Sequence, residues 1–145
     1  MTGCYLDSNF LLYWKNEDAK QHQECVEILG KLVAKSVKLY ISPLVIDEFI
    51  HSLKYLLLSR SSSTNYYEIL RKTLKEVLLL PRLEIISSPI DVPSQFQVLD
   101  FMQKFSLGPR DAYHLLTITV NQIDSFATFD NDFKKVFNAK LITKP

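Results

Sequence analysis

The chain has 145 residues, 47% of them hydrophobic, and a net charge of +1, which suits one domain with a buried core and lies far from disorder. Near-neutral charge argues against a module that grips long nucleic acid through its phosphates, though not against an enzyme that meets nucleic acid transiently. The longest apolar runs, 55–58 and 77–80, are too short to span a bilayer, and the start Met1-Thr2-Gly3-Cys4 lacks the basic region of a signal peptide, so a cytoplasmic protein with no membrane association is expected.

Residues 3–6 form a short apolar stretch ending at Asp7 and read as a buried strand, and 11–14 continue as a short helix. Asp18 is placed to cap a longer helix through about Lys35, in which Cys25, Ile28, Leu29, Leu32 and Val33 recur at helical spacing. Residues 38–41 read as a second strand. Ser42-Pro43 then supplies an N-cap and a proline at the first helical position, opening a helix to about Leu58. The serine-rich stretch 59–65 reads as an exposed loop. Residues 66–80 form an amphipathic helix stopped by Pro81. A third strand is expected over 83–86 and a helix over 92–105, with Gly108 marking its end. Pro109 opens a helix through about Asn121; a strand over 125–128, a short helix over 131–137 and a last strand over 140–143 complete the chain. Strands alternating with helices predict a single α/β domain over 1–145 with a mainly parallel sheet covered on both faces.

In such a sheet the functional edge lies at the carboxyl ends of the strands. Asp7 ends the first strand and Asp130 lies just beyond the fourth, while Glu48 follows the second strand on its helix and Asp111 occupies a first helical turn. Asp111 shares a helical stripe with His114, Leu115 and Ile118, and Glu48 shares one with Leu44, Val45 and Tyr55, so both carboxylates are expected to face inward. An inward acid is costly unless paired, hydrogen-bonded or bound to metal, and few basic residues are placed to neutralise all four. Carboxylate clusters suit Mg²⁺ or Mn²⁺. Zinc is disfavoured, because His22, His51 and His114 show no ligand spacing and Cys4 and Cys25 read as reduced core or boundary residues. His114, one turn from Asp111, reads as a core residue or one that supports the site from behind. Asp47 points about 100° away from Glu48 around the helix and reads as a solvent-facing neighbour.

Four motifs occur in order: Tyr5-Leu6-Asp7-Ser8-Asn9-Phe10-Leu11-Leu12, Val45-Ile46-Asp47-Glu48-Phe49, Arg110-Asp111-Ala112-Tyr113-His114 and Ala127-Thr128-Phe129-Asp130-Asn131-Asp132-Phe133. Each alone is weak; in this order and spacing they resemble the PIN-domain nucleases, especially the VapC-type ribonuclease toxins, over nearly the whole chain. The resemblance implies a three-layer PIN-like α/β fold with a mainly parallel central sheet flanked by helices. It implies that Asp7, Glu48, Asp111 and Asp130 are catalytic acids that hold Mg²⁺ or Mn²⁺, that Asp132 lies near the metal, and that Ser8, Asn9 and Thr128 orient the acids. Arg110, Lys134 and Lys135 flank the motifs and could steady substrate phosphates. The implied activity is metal-dependent endoribonuclease cleavage of RNA, with water as the nucleophile, and the implied partners are an antitoxin protein and a second copy of the chain. The apolar content of the arm over 49–58 and 66–80, including Leu53, Tyr55, Leu56, Leu57, Leu58 and Leu79, is consistent with a homodimer surface. The alternatives are an RNA-processing nuclease without antitoxin and a non-catalytic interaction module. An aspartyl phosphotransferase is disfavoured by Asn9, which stands where a second acid is usual.

Overall fold

A computed structural model describes residues 1–60 and 65–145. Strands β1 (Gly3–Leu6), β2 (Lys38–Ile41), β3 (Leu83–Ile85) and β4 (Ser125–Ala127) form one sheet in the order β3-β2-β1-β4. All three pairings are parallel, with Tyr5 opposite Tyr40 on one side and Leu6 opposite Ala127 on the other. Parallel pairing needs crossover connections, and the helices supply them: α1 (Ser8–Lys15) and α2 (His22–Ala34) between β1 and β2, α3 (Pro43–Arg60) and α4 (Tyr66–Leu78) between β2 and β3, and α5 (Val92–Phe105) and α6 (Pro109–Val120) between β3 and β4. A 3₁₀ turn over Asn131–Phe133 and the short α7 (Lys134–Asn138) follow β4. Every residue of β1 and β4 is buried, as both faces of a helix-covered parallel sheet require. Tyr5, Phe10, Phe49, Phe126, Phe133 and Leu115 are among the largest fully buried side chains. Among the described residues no helix is long and apolar enough to cross a membrane.

Sequence β1 is central, and the chain leaves it toward β2 on one side and later returns to β4 on the other. That reversal puts a switch point at the carboxyl ends of β1 and β4, the edge at which open parallel sheets bind ligands. The Asp7 N–H donates to the Ala127 carbonyl at 3.0 Å, so Asp7 is held at this edge by the last ladder bond between the two strands.

Several local readings need correction. Asp18 does not cap α2, which starts at His22 after Gln21. The Asp18 carboxylate instead accepts from Arg60 at 3.0 Å, and the Asn16 side chain caps the preceding turn at the Asp18 N–H. Helix α5 closes at Ser106, in the left-handed region at φ 59°, while Gly108 has an ordinary φ of −70° and precedes α6. Its carbonyl accepts from the Ala112 N–H at 3.0 Å. The strand expected over 140–143 reduces to one bridge, Ser125 with Thr143. Helix α3 runs two residues past Leu58 to Arg60; of the loop expected over 59–65, residues 61–64 lie outside the described residues.

On the arm formed by α3 and α4, Leu53 is buried and Leu56 and Leu57 pack partly against the core, but Leu79 is 70% exposed and Tyr55 63%. Tyr55 therefore does not share an inward stripe with Glu48, although Val45 does. A second apolar surface lies on α5, where Val92, Phe96 and Leu99 are exposed.

Candidate metal centre

The site is built where four chain segments meet at the carboxyl edge of the sheet. Asp7 follows β1 and caps α1, its carboxylate accepting from the Ser8 N–H at 2.7 Å. Capping fixes one carboxylate oxygen. The other accepts from the Thr128 hydroxyl, just past β4. Thr128 is itself fixed: the Asn9 amide donates to its oxygen at 3.3 Å and the Asp130 N–H at 3.0 Å. Asn9 completes the clasp by accepting from the Phe129 N–H at 3.2 Å. Asn9 and Thr128 therefore join the β1 and β4 segments and orient Asp7 between them. The Ser8 hydroxyl lies 3.4 Å from the Asp7 oxygen that accepts from the Ser8 N–H.

Asp130 caps the 3₁₀ turn by accepting from the Asp132 N–H at 2.8 Å, so these two acids stand on one short turn. Asp111 lies in the first turn of α6, where the helix dipole favours a negative charge. Oxygens of Asp111, Asp130 and Asp132 all lie within 4.8 Å of one another. Ligand atoms of Asp7, Glu48 and His114 form a second group within the same limit. Glu48 reaches in from α3, whereas Asp47 is exposed. The geometry thus separates the adjacent acids as the helical rotation requires.

Electrostatics joins the two groups. Burial pushes the Asp7 carboxyl above its usual range, with the Glu48 charge adding to it, against the opposing pull of His114, Thr128 and the Ser8 N–H. Asp111 is pushed up to about 6, first by burial and next by Asp130, with Asp7 and Asp132 adding to the effect and His114 opposing it. Glu48 behaves differently. Burial raises it, but the hydrogen bond and charge of His114, the Ser8 hydroxyl and the Arg110 guanidinium together hold it below the usual range. Carboxylates whose charged forms are penalised first by burial and then by one another's charge are relieved by a divalent cation. The donors are hard oxygens, the set that Mg²⁺ or Mn²⁺ accepts. On both counts these residues fit a divalent metal.

Behind Glu48 lies an arrangement that sequence reasoning did not assemble. His114 Nε2 is 2.9 Å from Glu48 Oε2, and His114 Nδ1 is 3.1 Å from the Tyr5 hydroxyl. The Tyr5 hydroxyl is 2.6 Å from Ser42 Oγ, which also accepts from the Val45 N–H at 3.3 Å. Tyr5, Ser42 and His114 are all buried. The available signals were a tyrosine hydroxyl inside an otherwise apolar strand and a histidine among Leu115, Leu116 and Ile118. Both need a polar partner when buried.

Of the cations suggested for substrate, Arg110 sits exposed at the start of α6, close enough to act on Glu48. Lys134 and Lys135 are exposed on α7, and Lys135 donates to Ser106 Oγ at 2.6 Å.

A sequence model of the PIN domain matches residues 4–138, nearly the whole chain and all of the acids above. The chain belongs to the PIN domain family. Among similar proteins, the ribonuclease VapC2 of Methanocaldococcus jannaschii is 27% identical over 143 residues, covering 91% of this chain and 87% of that protein. Two solved structures share the fold of this PIN domain. VapC20 of Mycobacterium tuberculosis, a sarcin–ricin loop cleaving toxin, superposes with a TM-score of 0.64 at 15% identity, covering 92% of this chain and 95% of that one. VapBC2 of Rickettsia felis, bound to a DNA fragment from its promoter, gives 0.64 at 20% identity, covering 97% and 96%.

Proposed function

We propose that this PIN domain is a divalent-metal-dependent endoribonuclease, the toxin of a toxin–antitoxin pair, using Mg²⁺ or Mn²⁺. The observation that carries the metal site is the gathering of Asp111, Asp130 and Asp132 into one group of ligand atoms and of Asp7 and Glu48 into a second, with Asp111 pushed up to about 6 by burial and by the charges of Asp130, Asp7 and Asp132. Likeness to the ribonuclease VapC2 supports RNA as the substrate, and likeness to VapC20 and VapBC2 supports the toxin role and an antitoxin partner.

In this reading Asp7, Glu48, Asp111 and Asp130 hold the metal and serve catalysis, with Asp132 contributing from the same turn as Asp130. When bound, the cation supplies Lewis-acid activation of water and stabilises charge at the phosphorus and leaving oxygen. Thr128, Asn9 and Ser8 keep the Asp7 carboxylate in one orientation, so that little rearrangement is needed on binding. Arg110 stands where it can meet a substrate phosphate, and Lys134 and Lys135 extend the positive charge along the rim. The single-domain organisation and cytoplasmic location complete the proposal.

A homodimer is part of the same proposal, because Tyr55, Leu58 and Leu79 on the arm and Phe96 and Leu99 on α5 leave apolar area that a second copy would cover. Light scattering at tens of micromolar is expected to give a dimer mass; a strict monomer removes the dimer and leaves the site untouched. The nuclease itself is tested by incubating purified protein with a panel of RNAs, with and without Mn²⁺, beside Asp7→Asn purified identically. Metal-dependent cleavage by the wild type alone is expected, and equal cleavage by both proteins overturns the assignment.

A further inference from the structure

The polar chain behind Glu48 has a direction set by its end. A carboxylate only accepts, so the contact of 2.9 Å between His114 Nε2 and Glu48 Oε2 places a proton on Nε2. In the neutral ring Nδ1 is then an acceptor, and the Tyr5 hydroxyl at 3.1 Å donates to it. The Tyr5 oxygen in turn accepts from Ser42 at 2.6 Å, while Ser42 Oγ takes the Val45 N–H at the start of α3. With the ring in that neutral form, one unbroken donation runs from the α3 N-cap through β1 and α6 and returns to Glu48 on α3.

We infer that His114 is a positioning residue: Tyr5 and Ser42 fix its ring in the Nε2–H form, and that N–H holds Glu48 in place for the cation. The inference rests on the proposed metal site and adds a residue outside its set of acids. It also decides between two roles for His114, whose nitrogen lies within 4.8 Å of ligand oxygens of both Asp7 and Glu48. A nitrogen that donates a proton to Glu48 has no lone pair for a metal, so His114 supports a ligand and is not one. The arrangement has a physical purpose. Glu48 projects from a helix on a long side chain with several rotamers, and a ring buried to 2% exposure gives it a rigid anchor. An outer partner of this kind typically alters metal affinity about 10–100-fold.

The test combines ring-nitrogen NMR with metal titration on the full chain. In metal-free ¹⁵N-labelled protein at a pH where the ring is neutral, His114 is expected to show a protonated Nε2 and a bare Nδ1, unchanged on adding Mg²⁺. Tyr5→Phe is expected to remove the bias, giving a mixture of the two ring forms, and to weaken Mn²⁺ binding about fivefold. His114→Leu is expected to weaken it about 10–100-fold, and His114→Gln, which keeps a donor near Nε2, to stay within about threefold of wild type. Loss of the Nε2 proton on Mg²⁺ binding would identify a metal ligand and overturn the inference. So would wild-type Mn²⁺ affinity in a folded Tyr5→Phe variant with an unchanged ring form. The NMR on wild type and Tyr5→Phe decides the matter even if His114→Leu does not fold. Wild-type protein that binds no Mn²⁺ overturns the metal reading itself, a result separate from the others.

Discussion

Replacing Thr128 by Val removes one oxygen and keeps the shape of a buried side chain. That oxygen donates to Asp7 and accepts from the Asn9 amide and the Asp130 N–H. The bond to the Asp7 carboxylate is charge-assisted, worth about 1.5–3 kcal/mol, and each neutral bond about 1 kcal/mol. Asn9 and Asp130 are half-buried and can recover part of their loss from water, so the expected destabilisation is about 2–3 kcal/mol. For a chain of this size that corresponds to a fall in Tm of roughly 5–10 °C. Thr128 also helps to hold the Asp7 pKa down against burial, so its removal favours the proton over a cation and Mn²⁺ affinity should fall as well. Calorimetry of the metal-free protein and an Mn²⁺ titration measure the two effects, and Thr128→Ser, which keeps the hydroxyl, should remain near wild type in both. An unchanged Tm together with unchanged Mn²⁺ affinity in Thr128→Val would refute the idea that this hydroxyl organises the site.

Asp7→Asn and Asp111→Asn each remove a charge and keep the shape, so metal binding should weaken and RNA cleavage collapse; wild-type Mn²⁺ affinity in both would dismiss them as ligands. Glu48→Gln should abolish cleavage while Asp47→Asn leaves most of it, since Asp47 is exposed and Glu48 bonds His114; the reverse result would move the site to the other face of α3. A carboxyl raised to about 6 in the fold contributes stability that is fully present below its ordinary value of 3.8 and is lost as pH rises through about 6. Metal-free Asp111→Asn should therefore gain on wild type in Tm as pH rises from about 4 to above 6, and a constant difference across that window would show that burial and the neighbouring acids do not raise the Asp111 carboxyl.

Much of the framework follows from local pattern. The spacing of Val92–Phe105 marks α5 with its observed bounds, and Ser42-Pro43 opens α3 as the cap chemistry requires. The acids were legible because each sits just beyond a strand or in an early helical turn, places a parallel sheet collects at one edge. Local pattern misled where a residue suited to one role is used elsewhere or a neighbour takes the role instead. Asp18 has the chemistry of a cap but is drawn into a pair with Arg60, 42 residues away. Gly108 suits a helix end, yet Ser106 takes the left-handed position. The Ser42–Tyr5–His114–Glu48 chain was invisible because its contacts span 37, 109 and 66 residues. No periodicity reports a hydrogen bond between a strand residue and a helix more than a hundred positions later.

The sheet order also bears on timing. Asp7 receives its Thr128 partner only when β4 docks beside β1, a pairing that spans 121 residues of chain. Domain segments emerge from the ribosome N-terminal first, and contacts of such long range are slow to close. A nascent chain that has made β1, β2 and β3 holds Asp7 and Glu48 but lacks Asp130, Asp132 and the clasp around Thr128. The acid cluster is therefore among the last features to form during synthesis, and a stalled or truncated product that ends before residue 125 lacks Asp130, Asp132 and the Thr128 hydroxyl that orients Asp7.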